Sequence, residues 1–168
     1  TIIKQANGFD GVTVENNQVS SARQIGFAAA DLLSQGSDTL SEVDVLVVGL
    51  GPVGAAIANL LGRYGVRTLV VDKAHEIFMA PRAIALDNEA LRVLQLAGLS
   101  DDAFEKVAIP FVRMRSPLLG EFGRVNSLGS IDGHPKLVTF YQPDLERALR
   151  RLMTRYPHVE TLLGATLE

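Results

Sequence analysis

The chain of 168 residues contains no cysteine. That excludes disulfides, thiolate metal sites and cysteine nucleophiles from this stretch, and it fits a cytoplasmic setting. Histidine is scarce. His75, His134 and His158 show no metal-ligand spacing and read as solvated loop or turn residues, so no metal site is expected. A basic excess is also missing. Sixteen Lys and Arg against 19 Asp and Glu give a formal net charge of −3, without the electrostatic footprint of a nucleic-acid binder. No apolar run approaches the ~20 residues that span a bilayer. The first ten residues lack a basic stretch leading into an apolar core, so no secretory signal is visible. The chain does not begin with Met, and we expect that an upstream piece has been removed. What remains is a composition 47% apolar with positive mean hydropathy, suited to an α/β core. The length corresponds to one domain or part of a larger one.

The residues from Val43 to Val48 read as a buried strand. It runs into Gly49-Leu50-Gly51-Pro52-Val53-Gly54, a G-x-G-x-x-G pattern, and then into an apolar helix. A second strand, Thr68-Leu69-Val70-Val71, ends on Asp72, 23 positions past Gly49. Strand, glycines, helix, strand and acid together form the layout of a dinucleotide-binding β-α-β unit. Each part has a physical reason. Gly49 allows the tight turn out of the strand. Gly51 has no Cβ, so backbone can approach a pyrophosphate. Gly54 lets the helix pack on the sheet. The helix N-terminus after Pro52 offers free N–H groups and partial positive charge to phosphates. Asp72 stands where a carboxylate can accept both ribose hydroxyls, and it would repel a 2′-phosphate. The plainer alternative is a glycine-rich turn in an α/β protein that binds no nucleotide.

Around this unit the chain divides into 1–42, an extension and linker of unassigned role, and 43–168. Val12-Thr13-Val14 reads as a short strand. Ser20 or Ser21 can cap a helix with Ile25, Ala28, Ala29, Leu32 and Leu33 on one face, ended by Gly36, before a polar linker at 37–42. In the first core helix, Val53, Ala56, Ile57, Leu60 and Leu61 form the expected apolar stripe, with Ala55 and Ala56 allowing close approach and Gly62 and Gly65 marking the end. Asp87 can cap a helix bearing Leu91, Leu94 and Ala97, closed by Gly98. Strands are expected at Phe111–Arg115, Leu137–Phe140 and Val159–Leu163. The stretch 120–135 reads as hairpin turns and loop. Pro143 suits the first turn of a helix carrying Leu145, Leu149, Leu152 and Met153, with Glu146 and Arg150 as an ion pair on its wet face.

Two further segments narrow the class: Pro81-Arg82-Ala83-Ile84-Ala85-Leu86-Asp87-Asn88-Glu89-Ala90-Leu91, and Phe140-Tyr141-Gln142-Pro143-Asp144-Leu145-Glu146. With the glycine motif and its Pro52, they resemble the flavin-dependent aromatic hydroxylases of the p-hydroxybenzoate hydroxylase fold group. Within that group the sequence resembles the 3-(3-hydroxyphenyl)propionate hydroxylases. The resemblance runs from Val43 to the C-terminus, about three quarters of the chain. It implies FAD as cofactor, NADH or NADPH as transient reductant, and a small phenolic substrate hydroxylated with oxygen. The implied cofactor-binding set is Gly49, Gly51, Pro52, Val53, Gly54, Asp72, Lys73, Arg82 and Gln142. Asp72 would hold the FAD ribose, Arg82 would reach the pyrophosphate and ribityl chain, and Gln142 would contact the linker region of the flavin. A guanidinium forks onto phosphate oxygens, and an amide offers donor and acceptor together. Arg82 as a surface arginine after a turn proline, and Gln142 as an ordinary cap residue, remain the simpler alternatives.

Members of that group are much longer and carry an Asp-Gly segment and a later Gly-Asp segment that complete the flavin site. Neither has a clear counterpart here, and Asp132-Gly133 reads as a turn. The expected architecture is therefore α/β: a Rossmann-like FAD-binding β-α-β domain, incomplete, with part of an inserted β segment, forming an N-terminal fragment. No side chain stands out as a general base for a phenol, so catalytic residues are unassigned. A homo-oligomer, or association with the rest of its own chain, is open. So are two rival functions, another FAD- or NAD-dependent oxidoreductase and a non-catalytic nucleotide-binding fragment.

Overall fold

A computed structural model describes residues 3–5, 12–14 and 43–167. In chain order the elements are β1 (Ile3–Gln5), β2 (Val12–Val14), β3 (Val45–Val48), α1 (Pro52–Arg63), β4 (Thr68–Asp72), β5 (Ala85–Asp87), α2 (Asn88–Leu96), β6 (Lys106–Ala108), β7 (Phe111–Ser116), β8 (Gly120–Asn126), β9 (Ser130–Ile131), β10 (His134–Pro135), β11 (Leu137–Phe140), α3 (Gln142–Met153), β12 (Val159–Leu163) and β13 (Ala165–Leu167). The expected helix within 20–36 and the linker at 37–42 lie outside the described residues.

The central sheet has the order β1-β3-β4-β12. Strands β3, β4 and β12 are parallel, with Val45 and Val159 both opposite Thr68. β1 adds antiparallel to the free edge of β3, Ile3 opposite Val47. The parallel strands are covered on both faces. Val47 and Val70 belong to the cluster holding α1 and α3, while Leu46, Leu69 and Val71 pack with Val43 and Ala165 on the other side. This explains the unbroken apolar reading of β3 and β4: a parallel strand buried on both faces has no polar alternation. A second sheet, β5-β11-β6, is antiparallel throughout, and a ribbon joins β2 to β13.

Helix α1 corrects the expected stripe. Its buried residues are Gly54, Ala55, Ala56, Ala58, Asn59 and Gly62, whereas Val53 is 62% exposed. Ile57 and Leu61 pack only partly buried against the core. Small residues face the sheet and α3 because they let the helix axis come close. Gly62 lies inside the helix under the Tyr156 ring, and Gly65, at φ +73°, makes the turn that ends it. Asn59 crosses the contact between helices: its Nδ2 donates to Ala55 O at 2.8 Å and to Leu149 O at 2.9 Å.

α2 forms as expected, with Asp87 Oδ1 accepting the Ala90 N–H at 2.8 Å and Gly98 following at φ +92°. On α3, Leu145, Leu149, Leu152 and Met153 are buried, as its apolar spacing requires. The stretch 120–135 is more regular than its composition suggested. β8 pairs antiparallel with β7, Val112 opposite Val125 and Met114 opposite Gly123. Its glycines mask the strand in sequence, and at Gly123 the end of the Met114 side chain lies over the place of a Cβ. Asp132 and Gly133, at φ +51° and +82°, make the two-residue turn between β9 and β10. The short strands β1, β5, β6 and β13 were not anticipated.

Among the described residues, no helix is long and apolar enough to cross a membrane.

Candidate functional site

The site begins where β3 stops. Gly49 turns the chain at φ +99° and donates its N–H to Val71 O at 2.7 Å, tying the turn to β4. Gly51 is the N-cap of α1, and Pro52 takes the first helical position, where no hydrogen-bonding N–H is required. A Cβ on Gly54 would overlap the Gly49 carbonyl oxygen, so only glycine lets α1 start this close to the turn. At Gly51 the situation is opposite. A Cβ there would meet nothing within 4 Å among the described residues, so open space faces the backbone. The first turn of α1 contains no acidic residue, which leaves its N–H groups and positive dipole end uncompensated.

Asp72 closes the arrangement from the end of β4. Its Oδ2 accepts the Leu50 N–H at 2.5 Å and its Oδ1 accepts the Ala74 N–H at 2.8 Å. The result is a cleft of about 530 Å³ at the C-terminal ends of β3 and β4, the place where open α/β sheets bind ligands. Gly49, Gly51, Asp72, Lys73 and Arg82 all line it, so the structure brings these five expected residues together. Arg82 is exposed, and its guanidinium stands 5.7 Å from the Phe78 ring centroid. Pro52 and Val53 form the first turn of α1 beside the cleft, and Gly54 is buried beneath the glycine turn.

Gln142 is not part of the lining. It is 3% exposed. Its Oε1 accepts the N–H groups of Arg82 at 3.0 Å and Ala83 at 2.8 Å, and its Nε2 donates to Glu146 Oε1 at 2.7 Å. The amide therefore fixes the segment that carries Arg82.

Glu146 and Arg150 depart from the expected wet-face pair. Both line the cleft, and Glu146 is only 4% exposed. Arg150 Nη2 donates to Leu50 O at 3.0 Å, while its buried Nε has no partner among the described residues. Spacing of i,i+4 says that two residues share a face, not where the face points. The missed signal is the row Gln142-Glu146-Arg150, which continues the expected cofactor face of α3 by one and two turns.

Residues 42–167 match the family model described as an FAD binding domain. The chain belongs to that family. The FAD binding domain is 42% identical over 128 residues to the 3-(3-hydroxy-phenyl)propionate/3-hydroxycinnamic acid hydroxylase 1 of Burkholderia vietnamiensis, covering 76% of this chain and 21% of the relative. It therefore spans about a fifth of the length of that curated relative. Among solved structures it superposes on p-nitrophenol 4-monooxygenase from Pseudomonas putida with TM-score 0.61 and 26% identity, over 71% of this chain and 31% of that one. The flavin-dependent monooxygenase PieE, solved with FAD and substrate, superposes with TM-score 0.57 and 25% identity, over 71% of this chain and 23% of that one.

Proposed function

We propose that this chain is the FAD-binding portion of a flavin-dependent monooxygenase that hydroxylates a phenolic aromatic compound with NADH or NADPH and oxygen. On this reading it works in the cytoplasm, residues 1–42 form an extension, 43–168 form the N-terminal part of the cofactor domain, and the rest of the flavin site comes from further chain or from a second copy.

The observation that carries the reading is the open position over Gly51, set between the acid-free N-terminus of α1 and the Asp72 carboxylate. A pyrophosphate would lie against Gly51 and the first turn of α1, including Pro52 and Val53, where unpaired N–H groups and the helix dipole favour an anion. Gly49 and Gly54 shape that turn. Asp72 would hold the adenosine ribose. Two backbone N–H groups already use the carboxylate, and its two oxygens offer about four acceptor sites, so about two remain for the ribose hydroxyls. Lys73 and Arg82 supply positive charge on the same cleft, and Gln142 supports Arg82 from behind. When bound, FAD supplies the redox chemistry, taking reducing equivalents from the nicotinamide and passing them to oxygen. The chain's own residues hold and orient it.

The test is FAD titration of the parent and of Gly51→Val. Gly51 has φ −75° and ψ −172°, an extended conformation open to any residue, and its Cβ direction is empty, so the variant should keep its fold. FAD binding by the parent and its loss in the variant is expected. Undiminished FAD affinity in Gly51→Val would overturn the assignment.

A further inference from the structure

We propose that Glu146 is a positioning residue, whose carboxylate orients the Gln142 amide and thereby holds Arg82 at the cleft. This rests on the reading of the cleft as an FAD site.

The segment between Asp72 and Ala85 contains neither helix nor strand, so its position depends on contacts from elsewhere. Some come from β11 and the start of α3: Thr139 Oγ1 donates to Ile84 O, and Tyr141 Oη donates to Met79 O. At Arg82 and Ala83 the contact is made by Gln142 Oε1, which receives two successive backbone N–H groups. A primary amide has two ends of similar shape and opposite polarity. Turned about, Gln142 would present its NH2 to two donors and its oxygen to a carboxylate, unpairing the buried Gln142–Glu146 contact and the part-buried contacts to Arg82 and Ala83. Glu146 prevents this. A carboxylate only accepts, so it draws Nε2 to itself and commits Oε1 to the Arg82 segment.

Charge points the same way. A buried carboxylate on the wall of a cleft suited to phosphates is a poor phosphate ligand, because like charges repel. As the acceptor for Gln142 it has a definite use. Glu146 lies one helical turn after Gln142, so the same rigid helix carries both groups of the relay.

The experiment compares Glu146→Gln, Glu146→Leu, Gln142→Leu and the double leucine variant with the parent. FAD dissociation constants come from flavin fluorescence. Backbone amide exchange is measured in the FAD-free protein, with Val70 and Leu149 as core references. Glu146→Leu should raise the FAD dissociation constant about tenfold, the scale of one lost buried hydrogen bond. It should also speed exchange at Arg82 and Ala83 while the core references hold. Glu146→Gln still offers an acceptor oxygen but no longer only accepts, so it should recover both readouts in part. The double variant should be no worse than Gln142→Leu, because groups acting in one relay are not additive. Additive losses, or unchanged exchange at Arg82 and Ala83 in Glu146→Leu, would overturn the proposal. A parent that binds no FAD would defeat the reading of the cleft, and the exchange data would still decide the role of Glu146.

Discussion

The Asp72 carboxylate and the Leu50 N–H, 22 residues apart in sequence, are joined by a hydrogen bond of 2.5 Å across the mouth of the cleft. The acid that would receive the ribose is thus also a support of the glycine turn. Asp72→Ala should weaken FAD binding by about 1–3 kcal/mol, the range for hydrogen bonds to a charged group, and should speed exchange of the Leu50 amide. Isothermal titration and amide exchange measure the two effects separately. Tight binding in the variant would show that the carboxylate serves only the turn.

Gly54 and Gly51 should fail in opposite ways. A methyl group at Gly54 would collide with the Gly49 carbonyl oxygen, so Gly54→Ala should lower unfolding stability by about 1–3 kcal/mol, as overpacking does. Gly51→Val should leave stability near the parent and remove FAD binding. Urea unfolding of both variants checks the contrast.

Arg150 holds the carbonyl of the same Leu50 whose N–H is held by Asp72. Arg150→Met keeps the aliphatic length and loses the donor. FAD affinity should fall by about 1–2 kcal/mol with little change in far-UV circular dichroism. An unchanged affinity would mean that the Leu50 N–H contact alone fixes the turn.

At the base of the sheet, Arg67 forks onto Asp44, Nε to Oδ2 at 3.0 Å and Nη2 to Oδ1 at 2.7 Å. This hydrogen bonding holds the Asp44 carboxyl below its ordinary range. A carboxyl depressed in the folded state contributes stability above its unfolded value of about 3.9, and that contribution is lost as pH falls through the folded value. Asp44→Asn should therefore flatten the acid side of the stability profile below about pH 4. Both side chains are about half exposed, so the effect should be small and should fade in high salt. Equal slopes in parent and variant would count against the pair.

The 168 residues alone should not hydroxylate a phenol. On the proposed reading the groups gathered here would reach an adenosine, a pyrophosphate and the upper ribityl chain, and the oxygen-activating ring would need a dry, closed site. Oxygen uptake and product analysis with 3-hydroxyphenylpropionate and NADH or NADPH are the measurement. Stoichiometric hydroxylated product would place the active site within these residues.

How far the sequence disclosed this structure depends on the residue. β3, the glycine turn, α1 and β4 were legible because parallel strands covered on both faces read as continuous Val and Leu, and because Gly49, Gly51 and Gly54 each answer a local demand. The inward face of α1 was legible only in part: Ala55 and Ala56, expected at the close approach, are buried, and Val53, expected in the same stripe, is exposed. Hydrophobic spacing picks out large residues such as Val53, and this helix turns its smallest ones to the sheet. Glu146 and Arg150 were placed on the correct helix and the wrong side, since the direction of a face depends on the distant glycine turn. Strands such as β5 and β6 are three residues long and partly exposed, and they are defined by β11, their common partner. No local pattern encodes that.

The bond from Arg150 to Leu50 spans 100 residues of chain. On a ribosome, those residues take about 5–20 s to synthesise at ordinary rates. The glycine turn emerges early and waits that long for the guanidinium that steadies its carbonyl. A translational pause before position 150 would hold the polypeptide with the sequence of β3, α1 and β4 already made and this contact to the Leu50 carbonyl still missing.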